Sequence, residues 1–142
     1  DDTYVYKGED GERAPRTVAR IAKDHHGPTW TTRVVDYIAN ITSIKASAME
    51  DCYCITSMIH PDSIIAIEDQ AYFGCDSIEH LRLSSSLQTI GESSFEGCRS
   101  ITMLELPPTL HTIKKWGFHS CSSLWLIVPQ QQNEPLSLKT IK

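Results

Sequence analysis

The chain has 142 residues, of which 40% are hydrophobic, and a formal net charge of -5 at pH 7. A negative charge with scattered Lys and Arg argues against a nucleic-acid partner, because such partners are bound through clustered basic side chains. No apolar run approaches the roughly 20 residues needed to cross a bilayer, so we expect no direct membrane span.

The chain begins with a polar stretch. Residues 1–17 are rich in Asp, Glu, Lys and Gly, and they precede residues 18–142, in which apolar residues recur regularly. A stack of repeats exposes an apolar edge at each end unless a polar segment covers it. We therefore expect residues 1–17 to be a lead-in that caps a repeat domain formed by residues 18–142.

Residues 18–43 follow the repeat only weakly. Val18 and Val35 fall on apolar repeat positions, while Thr29 stands where later coils have Cys. We interpret this stretch as a degenerate first coil. The pair His25-His26 within it lacks further ligands at metal-binding spacing, which favours a polar loop over a metal site.

From residue 44 onward the sequence repeats with a period of 23 residues. Two independent ladders keep this step without a slip, one of isoleucine and one of cysteine. They are Ile44, Ile67, Ile90 and Ile113, and Cys52, Cys75, Cys98 and Cys121. A fixed period of this length is the signature of stacked repeats, so we interpret both ladders as core positions. The regular coils are residues 44–66, 67–89, 90–112 and 113–142.

Each coil contains short extended segments and a turn. In the third regular coil, Ile101, Leu104 and Leu106 follow the pattern L-x-x-L-x-L, whose alternation is the period of a short strand. Phe95 and Gly97 belong to a compact segment that we expect to be a turn or a single helical turn. The predicted fold class is an α/β solenoid, a right-handed coil of short parallel strands with turn or short helical segments.

The last coil departs from the regular pattern. Residues 129–135 are an insertion rich in Gln and Pro, which we expect to be a surface loop, and Leu138 and Ile141 then resume the apolar positions. The sequence stops at Lys142 without a polar capping segment. Because an uncapped coil exposes its apolar edge, we expect further chain or a protein partner to dock on the C-terminal coil.

One regular repeat carries a family resemblance. Starting at Ile90, the sequence follows Ile-Gly-x-x-Ser-Phe-x-Gly-Cys-x-Ser-Ile-x-x-Leu-x-Leu-Pro-x-x-Leu-x-x-Ile. This string resembles the BspA-type leucine-rich repeat, and the resemblance extends over about residues 41–142. It implies a solenoid with a concave parallel sheet that serves protein contact or adhesion and carries no enzymatic activity. Asp51 and Ser120 replace the Gly of the repeat, and His60 replaces the inward Leu of its strand.

The five cysteines raise the question of disulfides or a metal site. Equivalent positions of stacked coils point the same way in one column, whereas the side chains of a disulfide point at each other. We therefore expect the four ladder cysteines to be buried free thiols, which favours an intracellular location, with the cell surface as the alternative. Cys54 makes a C-x-C with Cys52, but no second pair follows, so we expect no zinc site.

We expect no catalytic site and no cofactor, because no Ser/His/Asp or Cys/His order suggests a triad. Regular stacking instead produces an extended surface whose outward strand residues differ from coil to coil. The predicted protein-binding surface consists of Ser57, Ile59, His80, Arg82, Met103, Glu105, Trp125, Leu126 and Val128. Several of these residues are apolar, which is typical of a surface that meets a partner.

The leading hypothesis is a non-enzymatic scaffold that binds a protein partner through the solenoid surface. One alternative is a structural subunit of a larger multiprotein assembly, stacked through its ends. Another is a cell-surface adhesin of the BspA type, for which oxidised cysteines or glycosylation of the sequon at Asn40 are expected. All three hypotheses fit the same repeat pattern.

Overall fold

The structure, a computed structural model, describes residues 6–14 and 41–130. Within these residues each coil contributes two short strands, one to each of two sides of a solenoid. The strands are β1 (Ser43–Ile44), β2 (Ser57–Ile59), β3 (Ala66–Ile67), β4 (His80–Arg82), β5 (Thr89–Ile90), β6 (Met103–Leu106), β7 (Thr112–Ile113) and β8 (Leu126–Pro129). The features predicted at Val18, Thr29, Val35, His25-His26, Asn40, Leu138 and Ile141 lie outside the described residues.

One side of the solenoid is a continuous parallel sheet, here called the back sheet. Its strand order is β1-β3-β5-β7, and each strand pairs with the equivalent strand of the next coil. Ile44 pairs with Ile67, Ile67 with Ile90, and Ile90 with Ile113. The 23-residue period of the sequence is therefore the register of this sheet.

The isoleucine ladder lines the core, with a departure at the last described coil. Ile44, Ile67 and Ile90 are at most 1% exposed, whereas Ile113 is 46% exposed. Ile127, which also falls on an inward position, is 58% exposed. Both residues belong to the last described coil, where no described strand covers the outer side. Ile113 thus keeps the register predicted for the core ladder but not the burial.

The segment that leads from the back sheet toward the second strand of each coil is a turn rather than a helix. The N–H groups of Ser93, Phe95 and Gly97 donate to carbonyls of the next coil over 2.8–3.0 Å, and those between them donate three residues back. A helix needs every N–H to donate along its own chain, so bonding between coils prevents one. The predicted α/β class is corrected accordingly, since residues 6–14 and 41–130 hold no helix and form a β-solenoid.

In the described part of the chain, no helix is long and apolar enough to cross a bilayer.

The Gly position of each turn adopts positive φ. Gly74 and Gly97 have φ of 75° and 77°, and Asp51 and Ser120, which replace this Gly in the first and last regular coils, keep φ of 58° and 59°. For a residue with a side chain, the left-handed conformation costs about 1–2 kcal/mol. The two departures from the repeat therefore introduce strain without changing the path of the turn.

An aromatic column runs through the turns. The rings of Tyr72 and Phe95 stack with centroids 5.0 Å apart, and those of Phe95 and Phe118 stack at the same distance. Tyr72 and Phe95 are fully buried, and Phe118 packs partly buried against the core. Stacked aromatic pairs stabilise beyond the area that they bury, so this column ties neighbouring coils together.

The four ladder cysteines form a second column, and all five cysteines are free. The ladder thiols are buried, and each donates to a carbonyl of the segment stacked before it. These bonds join Cys75 Sγ to Met49 O at 3.0 Å, Cys98 Sγ to Tyr72 O at 3.3 Å, and Cys121 Sγ to Phe95 O at 3.2 Å. Burial raises the pKa of the Cys98 thiol far above its usual value and that of Cys121 to about 11.

We expect a thiol reagent at neutral pH to label Cys54 rapidly and the four ladder cysteines only when the chain unfolds. The thiolate is the reactive form. All four ladder thiols are buried, and burial raises the pKa of Cys75, Cys98 and Cys121, whereas Cys54 is exposed. Timed labelling followed by peptide mass spectrometry measures each rate, with the chain unfolded in urea as the control. Rapid labelling of all five cysteines in the native chain would contradict the buried column.

Residues 6–14 pack against the first regular coil. Tyr6 is fully buried, and its hydroxyl accepts a 2.6 Å hydrogen bond from Lys45 N–H. Ala14 N–H donates to Ala48 O at 2.7 Å, which adds one layer to the hydrogen bonding between turns. This described part of the predicted N-terminal lead-in therefore covers the edge of the first regular coil.

Candidate functional site

A groove of about 960 Å³ lies on the strand face, which is the side of the solenoid formed by β2, β4, β6 and β8. Eight of the nine residues predicted as a protein-binding surface line it. They are Ser57, Ile59, His80, Arg82, Met103, Glu105, Trp125 and Leu126. Val128, the ninth, is half-buried and does not line the groove. The groove thus gathers positions contributed by four separate coils.

Exposure differs strongly among the lining residues. Trp125 is 77% exposed and Met103 is 42% exposed, so both offer apolar area to a partner. Ser57, predicted to face outward, is buried, and its short side chain is paired in register with the longer His80. The Ser57 hydroxyl has no hydrogen-bond partner among the described residues.

Other residues complete the lining. They are Glu79, Leu81, Ser100, Thr102 and Ser123. Ser100 and Ser123 occupy one repeat position, 23 residues apart, so the period of the sequence could have identified them. Leu81 falls on an inward position of its strand, and its presence in the groove has a separate cause.

That cause is a break in the strand face. β2 pairs with β4 and β6 pairs with β8, but β4 and β6 do not pair. The two coils concerned remain joined on their other sides, through the pairing of β3 with β5 and the stacking of Tyr72 on Phe95. They therefore separate only on the strand face, where half-buried Leu81 becomes accessible from the groove.

A proline explains why one hydrogen bond between the two coils at the break is missing. Between the last two described coils, Gln130 N–H donates to Leu106 O at 2.8 Å. The equivalent donor one coil earlier would be Pro107, which has no N–H to offer to Leu83 O. Instead, the side-chain Nε2 of buried Gln130 donates to Leu83 O at 2.9 Å. A side-chain amide thus replaces the missing peptide donor at one end of the break.

The groove combines apolar contact with mixed charge. Glu79 and Glu105 line it together with Arg82, so neither sign dominates. Ser57 and His80 are register partners, but the Ser57 hydroxyl makes no hydrogen bond to the His80 ring. Within residues 6–14 and 41–130, no group of three or more His, Cys, Asp and Glu side chains could hold a metal ion. Aromatic, Met and Arg side chains are enriched in protein interfaces.

A comparison with protein families finds one match that covers most of the chain. The family described as "BspA type Leucine rich repeat region (6 copies)" matches residues 35–140. A search of curated proteins finds no match.

Three solved structures of bacterial proteins resemble this chain. A leucine-rich cell surface protein from Faecalibacterium prausnitzii A2-165 is 21% identical with a TM-score of 0.56, over 66% of this chain and 31% of that one. A leucine-rich repeat protein from Bacteroides ovatus is 20% identical with a TM-score of 0.49, over 81% and 36%. The Treponema pallidum leucine-rich repeat protein is 20% identical with a TM-score of 0.48, over 61% and 51%. The chain therefore spans about a third to a half of the length of these proteins.

Proposed function

Because the chain belongs to the BspA-type leucine-rich repeat family, we propose that it is a non-enzymatic scaffold that binds a protein partner through its strand face. The observation that carries this proposal is the groove itself. Eight strand positions from four coils line one groove, and two of its apolar members, Trp125 and Met103, are exposed. Such side chains anchor protein interfaces when a partner removes them from water.

We expect the double variant Met103→Glu/Trp125→Glu to weaken partner association at least about tenfold, because two apolar anchors become charged side chains that the partner must desolvate. Quantitative mass spectrometry of proteins captured from native extract measures the loss. Both residues are exposed, so the variant should keep the thermal stability of the wild type.

Ile65→Glu is the matched control for this experiment. Ile65 is 42% exposed, as Met103 is, but it lies beside the back sheet and outside the groove. A partner held by wild type and by the Ile65 variant, but lost from the double variant, supports the strand face as the binding surface. Equal capture by all three forms places binding elsewhere.

A second proposal is an adhesive role at a cell surface. It is supported by the description of the Faecalibacterium prausnitzii protein as a cell surface protein. The free cysteines do not argue against it, because the geometry of a stacked column is enough to keep thiols apart in any compartment. Labelling of intact cells with a reagent that cannot cross membranes tests the location, and a chain labelled only after lysis is not at the surface.

A further inference from the structure

We propose that the break between β4 and β6 binds an extended segment of a partner polypeptide, which adds its backbone as a strand between the two open edges. The proposal rests on the proposed function and specifies its ligand as a main chain, rather than a charged or modified group. Three observations carry it: the direction of the peptide groups beside the break, an amide already seated at one end, and the side chain of Leu81.

The edge of β4 that faces the break carries peptide groups that β2 does not use. His80 N–H donates to Thr56 O at 3.2 Å, and Arg82 O accepts from His60 N–H at 3.0 Å, so His80 and Arg82 direct their peptide groups to β2. Peptide groups alternate in direction along a strand, which turns the N–H and C=O of Leu81 toward β6. Since β4 and β6 do not pair, this edge is open to another strand.

The facing edge of β6 is open in the same way. Leu106 O accepts from Gln130 N–H at 2.8 Å, which directs the peptide group of Leu106 to the β8 side. By alternation, the N–H and C=O of Met103 and Glu105 point to the β4 side. An extended peptide in the break can therefore form hydrogen bonds with Leu81 on one side and with Met103 and Glu105 on the other.

The side chain of Gln130 shows which chemistry fits between the edges. Its carboxamide has the same donor and acceptor groups as a peptide bond, and it donates to Leu83 O at 2.9 Å across the coil that carries Pro107. The residue is only 5% exposed, so the amide is seated inside the break rather than at its mouth. One end of the break is thus already closed by a peptide-like group, and the remainder has no equivalent among the described residues.

The side chain at the break fits an apolar and uncharged ligand. Half-buried Leu81 lines the groove and offers apolar contact. The charges at the rim, Glu79, Glu105 and Arg82, have both signs and favour neither an acidic nor a basic peptide. Recognition is therefore assigned to the peptide backbone, with alternate apolar side chains directed at Leu81.

The test uses a capped synthetic peptide of about six residues, alternating valine and threonine between terminal lysines, which matches the usual length of a strand. Two isomers of it carry N-methyl groups on alternate residues, so that each isomer lacks the donors on one edge. Titration calorimetry measures their affinity for the chain, and hydrogen exchange measures protection of the Leu81 and Met103 amides.

We expect the parent peptide to bind with a Kd below about 1 mM and to slow exchange at both amides, and each methylated isomer to bind at least about tenfold more weakly. Equal affinity of the three peptides, a loss in only one isomer, or no binding of the parent peptide overturns insertion into the break. None of these results bears on partner capture by the Met103→Glu/Trp125→Glu variant, so the two proposals can fail separately.

Discussion

Replacement of Phe95 by alanine is expected to lower the free energy of unfolding by about 3–5 kcal/mol, which is the usual cost of emptying a buried phenylalanine site. Phe95 is fully buried, and its ring stacks on Tyr72 and on Phe118 at 5.0 Å. The backbone around it is held by hydrogen bonds to the next coil, as in Phe95 N–H to Gly117 O at 2.8 Å. The site therefore cannot collapse around alanine, and the cavity persists.

This loss is large compared with the stability of a domain, which is about 5–15 kcal/mol. In a solenoid, stability is a sum of coils and of the interfaces between neighbouring coils, and Phe95 contributes to two interfaces at once. The variant should therefore unfold at much lower urea concentration, with a transition broadened by separate opening of the coils on each side.

Phe118→Ala is the matched control. Phe118 is only partly buried and stacks on one described ring, that of Phe95, so a loss of about 2 kcal/mol is expected. Urea denaturation followed by circular dichroism and by tryptophan fluorescence compares the two variants. If both substitutions lower the free energy of unfolding by the same amount, the aromatic column does not depend on Phe95 more than on Phe118.

The features that the sequence predicts well are those that the period determines. A ladder of identical residues defines which residues face each other, so the pairing of Ile67 with Ile90 follows directly from their spacing. The same 23-residue spacing gave the nine predicted strand-face residues, of which eight line one groove. Periodicity succeeds here because each coil contacts only its neighbours, in one repeated geometry.

The features that the sequence does not reveal depend on contacts between unlike coils. The break between β4 and β6 involves Pro107, which lacks a donor, and Gln130, whose amide reaches Leu83 from 47 positions along the chain. No local sequence pattern predicts a contact between residues so far apart in the chain. Of the two forms predicted for the segment around Phe95, a turn or a single helical turn, the structure has the turn, because bonds to the next coil take every second N–H.

The pair of His60 and Tyr72 is a further departure from the repeat. His60 stands at the inward Leu position and is 1% exposed, with its Nε2 2.7 Å from the Tyr72 hydroxyl and its Nδ1 without a hydrogen-bond partner. One coil later, the equivalent residues are Leu83 and Phe95. Burial lowers the pKa of His60 from its usual 6.5 to about 3, because a charged imidazole is disfavoured away from water.

This histidine should make the fold sensitive to acid. Between pH 6.5 and about 3 the unfolded chain binds a proton at His60 that the folded chain excludes. Stability is therefore full above pH 6.5 and falls with decreasing pH by about 1.4 kcal/mol per pH unit. The variant His60→Leu/Tyr72→Phe, which copies the apolar pair of the next coil, should not show this loss of stability at low pH.

From about pH 7.5 to about pH 5, the wild type should therefore lose about 2 kcal/mol more than the double variant, whose other titrating groups are unchanged. Urea denaturation at each pH measures the difference. Tyr72→Phe alone is the control: it keeps the histidine and its acid sensitivity, and it costs about 1–3 kcal/mol at neutral pH because Nε2 loses its partner. If the wild type and the double variant lose stability in parallel on acidification, His60 is not kept neutral by the fold, and its place in the core has no effect on pH dependence.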